Sequence, residues 1–174
     1  MSEEFMIIDV GLHRDQRGSF TKVLSQDIHN LLDEPIRIVE IFSTVSRKYT
    51  LRGMHFQKEP YGIGKFVWVT NGSILDVVID LRGGDNCGKV HEINLSAEVG
   101  KIIWVPGHFA HGFLAQSNVA IVNYATTGVY VPSHDSGIKW NSFGYSWPHA
   151  PEILSDRDSG FLDFEQWKTL EKLR

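Results

Sequence analysis

The sequence predicts an all-β fold in which helix is a minor component. Short runs rich in β-branched and aromatic residues recur between Gly, Asn, Asp and Pro, at roughly the 8 to 12 residue spacing that is typical of sandwiches and barrels. Asn71-Gly72 lies between two of these runs, and because both residues tolerate positive φ we expect an antiparallel hairpin there. Only two segments show the apolar spacing of a helix.

The predicted strands follow one another along most of the chain. An N-terminal run, residues 4–11, is apolar enough to add a strand to a sheet edge. The other runs cover residues 36–42, 51–58, 65–72, 73–81, 91–96, 101–106, 111–115 and 119–131. Residues 131–163 are richer in turn residues, so we expect them to fold back over the barrel as loops.

Helices are expected at residues 24–32 and 163–174. In the second segment an apolar residue recurs at every third position, which predicts a stripe that packs against the sheets. These residues are Phe164, Trp167, Leu170 and Leu173. Both helices are therefore predicted to be short and peripheral.

The composition is typical of a soluble globular protein with one core: 174 residues, 42% hydrophobic and 22% charged. A formal net charge of -4 gives no general electrostatic reason to bind nucleic acid or an anionic membrane. Cys87 is the only cysteine, which excludes an intrachain disulfide and favours a reducing, cytoplasmic location. No signal peptide is evident, and no apolar run has the length of a membrane span.

The run at residues 51–58, LRGMHFQK, carries more polar chemistry than an ordinary buried strand needs. Arg52 precedes His55 by three residues, and Lys65 begins the next run. If both strands face one cavity, the two cations converge on the histidine, which is costly unless an anion fills the site. The alternative is that Arg52 and Lys65 are simply exposed to solvent.

Residues 100–113, GKIIWVPGHFAHGF, resemble the second signature of the cupin superfamily. Cupins that bind a metal use several histidines and a carboxylate from their first motif, but here His55 is followed at the second position by Gln57. Too few ligands remain for a transition metal. We therefore expect no metal and no other cofactor.

A longer series of motifs resembles the dTDP-4-dehydrorhamnose 3,5-epimerase family in content and order. It runs from LRGMHFQ and GKFVWV through WVPGHFAHGF and YVPSHDSGIKW to ILSDRD, and the likeness extends from about Asp15 to Asp158. The resemblance implies a cupin double-stranded β-helix, or jelly roll, with short peripheral helices that include a C-terminal one. It also implies one domain over residues 1–174 and a homodimer with swapped N-terminal strands.

The resemblance implies a cofactor-free epimerase that inverts C3, C5 or both in a nucleoside-diphosphate 4-keto sugar, for surface-polysaccharide synthesis. His55 would be the base, Asp158 the carboxylate that orients it, Tyr124 the acid, and Lys65 the group beside the enolate oxygen. The implied substrate-binding residues are Arg17, Phe20, Arg52, His111, Tyr130, Asp135 and Arg157, with Asp76 behind them. From the residues alone, the structural interpretation is favoured for all three: Tyr124 as a packing residue, Asp158 as a turn residue or helix cap, and Asp76 as a structural hydrogen-bond acceptor.

The sequence departs from the family where the family contacts the nucleoside and the sugar. The departures are at Lys22, Glu40, Phe42, Tyr61, Ile63 and Ala125. They leave open a thymidine-linked deoxyhexose or a GDP-linked 4-keto heptose as the substrate. Two other functions also stay open: a nucleotide-sugar 3,4-ketoisomerase and a non-catalytic sugar-binding cupin.

Overall fold

The computed structural model describes residues 3–32 and 36–171, which are built mainly from β-strands. In chain order the strands are β1 (Met6–Asp9), β2 (His13–Asp15), β3 (Gly18–Phe20), β4 (Glu40–Arg47), β5 (Leu51–Gln57), β6 (Lys65–Asn71), β7 (Ser73–Asp80), β8 (Val90–Ser96), β9 (Lys101–Val105), β10 (Phe109–Ala115), β11 (Val119–Thr126) and β12 (Asp135–Gly137). The helices are α1 (Gln26–Asn30), α2 (Asp156–Ser159) and α3 (Phe164–Glu171), with a short 3₁₀ turn at Gly84–Asn86. The all-β prediction with short peripheral helices is confirmed.

Ten of the strands form two antiparallel sheets of five. The first sheet has the order β1-β9-β6-β11-β4, and the second has the order β12-β5-β10-β7-β8. Strands β2 and β3 form a separate hairpin. This order brings strands that are distant in sequence side by side, so polar residues from distant parts of the chain can meet between the sheets.

The predicted hairpin at Asn71-Gly72 is wrong. Gly72 does adopt a positive φ of 74°, but β6 lies in the first sheet and β7 in the second. The backbone groups at the turn bond to other segments: the Ser73 amide donates to Ser117 Oγ at 2.9 Å, and the Gly72 carbonyl accepts from the Ala97 amide at 3.0 Å. The turn at Asn71-Gly72 is therefore a corner between the two sheets. The residues of a turn determine how the chain bends, but they do not determine which strands pair with each other.

Several predicted element boundaries also differ from the structure. Within the run at residues 36–42, the strand begins only at Glu40, and Ile36 is buried against the outer face of the first sheet. Strand β11 ends at Thr126, well before residue 131. Helix α1 is shorter than predicted, and α3 begins one residue later than predicted, at Phe164. The predicted end of α3, residues 172–174, lies outside the described chain. The sequence prediction missed β12 and α2 within the supposedly irregular tail.

The apolar side chains form layers that follow strand alternation. Ile74 and Val78 point between the sheets, whereas Leu75, Val77 and Ile79 point to the outer face of the second sheet. That outer layer is covered by α3, which buries the first two members of its predicted stripe, although Leu170 is 48% exposed. No described helix is long and apolar enough to cross a membrane.

Candidate active site

A cavity of about 320 Å³ opens between the two sheets. Its lining comes from β4, β6 and β11 on one side, from β5, β10 and β12 on the other, and from α2 and the loops at the rim. The lining residues are Phe42, Thr44, Arg52, His55, Phe56, Gln57, Ile63, Lys65, His111, Tyr124, Thr126, Tyr130, Asp135 and Arg157. Eight of the twelve residues predicted for the site therefore line one cavity, and two more support it from behind.

His55 on β5 is held by Asp158 on α2. The Asp158 carboxylate accepts two hydrogen bonds. Its Oδ1 accepts one from Nε2 of His55 at 2.8 Å, and its Oδ2 accepts one from the backbone amide of Gly53 at 3.0 Å. Ser155 caps α2: its Oγ accepts a hydrogen bond from the Asp158 amide at 3.1 Å, which fixes the backbone of Asp158. The pair joins residues 103 positions apart in the chain.

The electrostatics of this pair suit a general base. Burial, with smaller contributions from Arg157 and Lys65, lowers the pKa of His55 in spite of Asp158, so the imidazole is neutral near pH 7. Burial alone would raise the pKa of Asp158, but the hydrogen bonds from His55 and Gly53 bring it below its usual value. Because an ionised carboxylate only accepts hydrogen bonds, the His55 proton resides on Nε2 and leaves Nδ1 free to take a proton.

Glycines bring the two cavity histidines together. Gly53 has a φ of 144°, and a Cβ at this position would lie 2.5 Å from the Cα of Gly112 on β10. The close approach of β5 and β10 accompanies a register shift between His111 and Phe113, and it sets His111 directly opposite His55. Two histidines thus stand side by side on the second sheet.

His111 has its own carboxylate partner, Asp76 on β7. Nε2 of His111 lies 2.7 Å from Asp76 Oδ2, and both side chains are buried. Burial raises the pKa of Asp76, although His111 and Lys65 act in the opposite direction. Burial also lowers the pKa of Lys65 to about 8, with Asp76 and Asp135 opposing that change. At neutral pH Lys65 therefore remains largely cationic inside the cavity.

Tyr124 faces the histidines from the first sheet. It lies opposite Phe42 in the register of β11 and β4, and the two rings stack at 4.8 Å with an interplanar angle of 16°. The edge of the His111 ring meets Tyr124 at 6.2 Å. Burial, together with the charge of Asp76, raises the pKa of Tyr124, so the phenol keeps its proton and can donate it.

The cations of the rim differ in how far they are neutralised. Arg157 pairs with Asp135 at 2.7 Å, and the Tyr130 hydroxyl donates to the same carboxylate at 3.3 Å. Arg52 instead donates to Ser46 Oγ at 2.9 Å and to the Val45 carbonyl at 3.3 Å. It has no carboxylate partner within residues 3–32 and 36–171, so its positive charge is available to an anion.

Gln57 organises the rim of the cavity, a role that sequence reasoning missed. Its amide nitrogen donates to the carbonyls of Tyr61 at 2.8 Å and Val129 at 3.2 Å, and its oxygen accepts the Val131 amide at 2.6 Å. The side chain thereby ties together the loops after β5 and after β11. The sequence prediction used Gln57 only as evidence about metals.

Thr44, Thr126 and Phe56 also line the cavity without having been predicted. Strand alternation was a usable signal for the two threonines, because Thr44 lies two residues after Phe42 and Thr126 two residues after Tyr124. Phe56 carried no such signal, since it is mostly a core residue.

Arg17 and Phe20 do not reach this cavity. They lie on the β2–β3 hairpin, where the Arg17 side chain is 90% exposed and bonded to Asp15, and Phe20 is 61% exposed. With the swapped N-terminal strands that the resemblance implies, these two residues would bind substrate in a neighbouring subunit, and that role stays a prediction.

No group of three or more His, Cys, Asp and Glu side chains is placed to hold a metal ion in the described part of the chain. The cavity has two histidines, each engaged through Nε2 with a different carboxylate. The expectation that no metal is bound stays a prediction.

The sequence profile of the family described as dTDP-4-dehydrorhamnose 3,5-epimerase matches residues 2–166. The enzyme of that name from Methanothermobacter thermautotrophicus is 36% identical over 173 residues, covering 96% of this chain and 90% of its own. The Bacillus anthracis crystal structure with TDP and PPi bound is 32% identical, has a TM-score of 0.87, and covers 92% of this chain and 94% of its own.

The Legionella pneumophila dTDP-6-deoxy-D-glucose-3,5-epimerase, solved with dTDP-4-keto-L-rhamnose, is 30% identical and also has a TM-score of 0.87. It covers 92% of this chain and 88% of its own. These likenesses confirm the predicted cupin-type jelly roll. The chain belongs to the dTDP-4-dehydrorhamnose 3,5-epimerase family of nucleotide-sugar isomerases.

Proposed function

We propose that this protein inverts C3 and C5 of a thymidine-diphosphate-linked 4-keto-6-deoxyhexose, with no cofactor taking part. One observation carries the proposal: a neutral histidine on a carboxylate and a protonated tyrosine face each other across one cavity, with a buried lysine beside them. Base, acid and oxyanion partner are the three groups that the reaction requires. The geometry therefore matches a deprotonation and reprotonation on opposite faces of a sugar ring.

In this mechanism the C4 ketone acidifies the protons on C3 and C5. Nδ1 of His55 takes one proton, and the electron pair of the broken C–H bond moves into the enolate. The ammonium group of Lys65 stabilises the enolate oxygen. Tyr124 then donates its proton to the same carbon from the other sheet, and solvent restores both residues to their starting protonation states.

The charges around the cavity favour a diphosphate-linked substrate. Arg52 carries a charge with no carboxylate partner among the described residues, and Lys65 adds a second cation within the cavity. Phe42, Ile63 and Tyr130 supply apolar surface that suits a deoxy sugar. Solved relatives with 30% and 32% identity hold dTDP-4-keto-L-rhamnose or TDP, which supports thymidine over guanosine.

The proposal includes a homodimer in which the β2–β3 hairpin reaches the neighbouring cavity. Strand β1 pairs with β9 of its own chain, whereas the hairpin belongs to neither five-stranded sheet and is tied to its own chain through Arg14 and Glu98, so it is the N-terminal element that can reach a second copy. The outer face of β4 and β11 exposes Ile41, Val45 and Val119, which a second copy would bury. We also propose a cytoplasmic location, where nucleotide-sugar metabolites are made.

The test is deuterium exchange from D₂O into C3 and C5 of a dTDP-linked 4-keto-6-deoxyglucose, followed by NMR, with the GDP-linked 4-keto heptose as the competing substrate. His55→Asn and Tyr124→Phe should each lower inversion by a factor on the order of 10²–10⁴. His149→Asn is the matched control, because that histidine is exposed and lies outside the cavity.

Unchanged inversion in both site variants would overturn the assignment of base and acid. Deuterium exchange with the GDP-linked 4-keto heptose alone would show that the proposed thymidine-linked substrate is wrong. A shifted carbonyl in the product would indicate ketoisomerisation instead, which the protonated tyrosine in the acid position disfavours.

A further inference from the structure

Phe42 is placed to control the acid of the reaction without touching the reacting carbon. It is a cross-strand neighbour of Tyr124 in the register of β4 and β11, and the stacked pair lies within the cavity lining. Phe42 is 46% exposed and lies on β4, an edge strand of the first sheet. It therefore covers a face of the phenol ring at the boundary between cavity and solvent.

Contacts restrain the Tyr124 ring on several sides. Phe42 stacks on one face, and the edge of His111 meets the ring at 6.2 Å. Val67 lies opposite Tyr124 on β6, on the other side of β11. Of these neighbours Phe42 is the exposed one, so its removal would give the phenol both room to move and access to water.

The polar surroundings of the phenol act on its oxygen and not on the plane of its ring. Thr44, two residues along β4 from Phe42, contacts the Tyr124 hydroxyl and opposes the rise of its pKa, although the Thr44 hydroxyl makes no hydrogen bond of normal geometry among the described residues. The plane of the ring is set by aromatic packing. Offset stacking of this kind fixes ring planes while it excludes water from the covered face.

We propose that Phe42 is a positioning residue that holds the Tyr124 phenol at a fixed angle to the sugar, so that the proton returns to the inverted face. This inference rests on the proposed epimerase function. Without the stacked ring the phenol is displaced, and the enolate is reprotonated by His55 on the face from which the proton left. When the His55 imidazolium has first exchanged its proton with D₂O, each such event places deuterium on the carbon without inverting it.

The measurement is the ratio of deuterium exchange to net inversion at each carbon, together with kcat and KM. Phe42→Leu keeps apolar bulk and removes the ring, and Phe42→Tyr keeps the ring. We expect Phe42→Leu to lower kcat by about twofold to tenfold, the range that an aromatic pair is worth. Because leucine keeps apolar surface toward the cavity, KM should change less than kcat. The exchange-to-inversion ratio should rise, and Phe42→Tyr should restore both kcat and the ratio.

Ser43→Ala is the matched control, since Ser43 is the neighbouring exposed residue on the same strand. In a double-mutant cycle Phe42→Leu should add no further loss to Tyr124→Phe, because the ring acts through the phenol. The inference would be overturned if the double variant lost the product of the two single-variant losses in kcat. It would also be overturned if Phe42→Leu kept the exchange-to-inversion ratio of the wild type. Phe42→Met replaces the leucine variant if thermal unfolding shows that the latter is misfolded. A wild-type protein with no exchange at all would refute the proposed function instead.

Discussion

The cavity contains two histidine–aspartate pairs that look alike and differ in their environment. The His55 side chain is 29% exposed and that of Asp158 is 5% exposed, whereas His111 and Asp76 are 4% and 0% exposed. Asp158 accepts a second hydrogen bond from a backbone amide, but the Oδ1 of Asp76 has no partner in the described chain. His55 therefore presents the larger exposed surface to the cavity, whereas His111, which also lines the cavity, is almost wholly buried.

The pKa shifts of the two carboxyls have opposite signs for this reason. Hydrogen bonds outweigh burial at Asp158 and lower its pKa, whereas burial outweighs its neighbours at Asp76 and raises its pKa. The interactions with His111 and Lys65 only partly offset the effect of burial on the pKa of Asp76. The first pair therefore has the exposure and the hydrogen bonds that suit a general base, whereas the carboxylate of the second pair raises the pKa of Lys65.

The largest expected effect is loss of the base's partner. Asp158→Asn removes the charge that fixes the His55 tautomer and stabilises the imidazolium, so kcat should fall by a factor on the order of 10²–10⁴. KM should change little, and steady-state kinetics would show the split. Asp156→Asn is the matched control on the same helix. A variant of Asp158 with more than half the wild-type kcat would remove the distinction between the two pairs.

The second pair should respond through pH. Below the depressed pKa of His55 the base is protonated and activity is lost, and above a pKa of about 8 Lys65 loses its charge and activity falls again. Because Asp76 raises the pKa of Lys65, Asp76→Asn should shift the alkaline limb of kcat to lower pH and leave the acid limb in place.

The pH–rate profile of Asp76→Asn checks this expectation, and Asp80→Asn is the control because that buried aspartate lies on the same strand beyond the cavity. If the acid limb moved and the alkaline limb stayed, the roles assigned to the two pairs would have to be exchanged.

Local pattern predicted most strands, because alternation and β-branched content are properties of each segment by itself. It did not predict which strands pair, and the turn at Gly72 shows why: the same turn chemistry serves a hairpin or a corner between sheets. Asp158 became a partner for His55 through family resemblance, since 103 residues separate the two. No local signal connects them.

Asp76 shows how far the alternation of side chains along a strand can predict a site residue. Its spacing from Ile74 and Val78 places it on the face between the sheets, which is consistent with its prediction as a supporting residue. Its bond to His111 additionally needs the register of β7 with β10, in which Asp76 is opposite Phe113. Phe42 is similar: the sequence identified it as a departure from the family, but only the strand register shows the stacked ring.

The smallest expected effect lies at the rim, away from both pairs. Gln57 bonds to three backbone groups of the two rim loops, which carry Ile63 and Tyr130 into the cavity lining. Gln57→Leu leaves those groups unpaired, so the loops loosen and KM should rise by about threefold to tenfold, equivalent to one or two lost hydrogen bonds. Because neither proton-transfer residue bonds to Gln57, the kcat of Gln57→Leu should be unchanged. Gln57→Glu keeps the acceptor for the Val131 amide, so its KM should lie between those of the wild type and Gln57→Leu. Initial-rate kinetics with Gln116→Leu as the exposed control would decide the matter, and a fall in kcat at constant KM would assign Gln57 to the chemistry rather than to the rim.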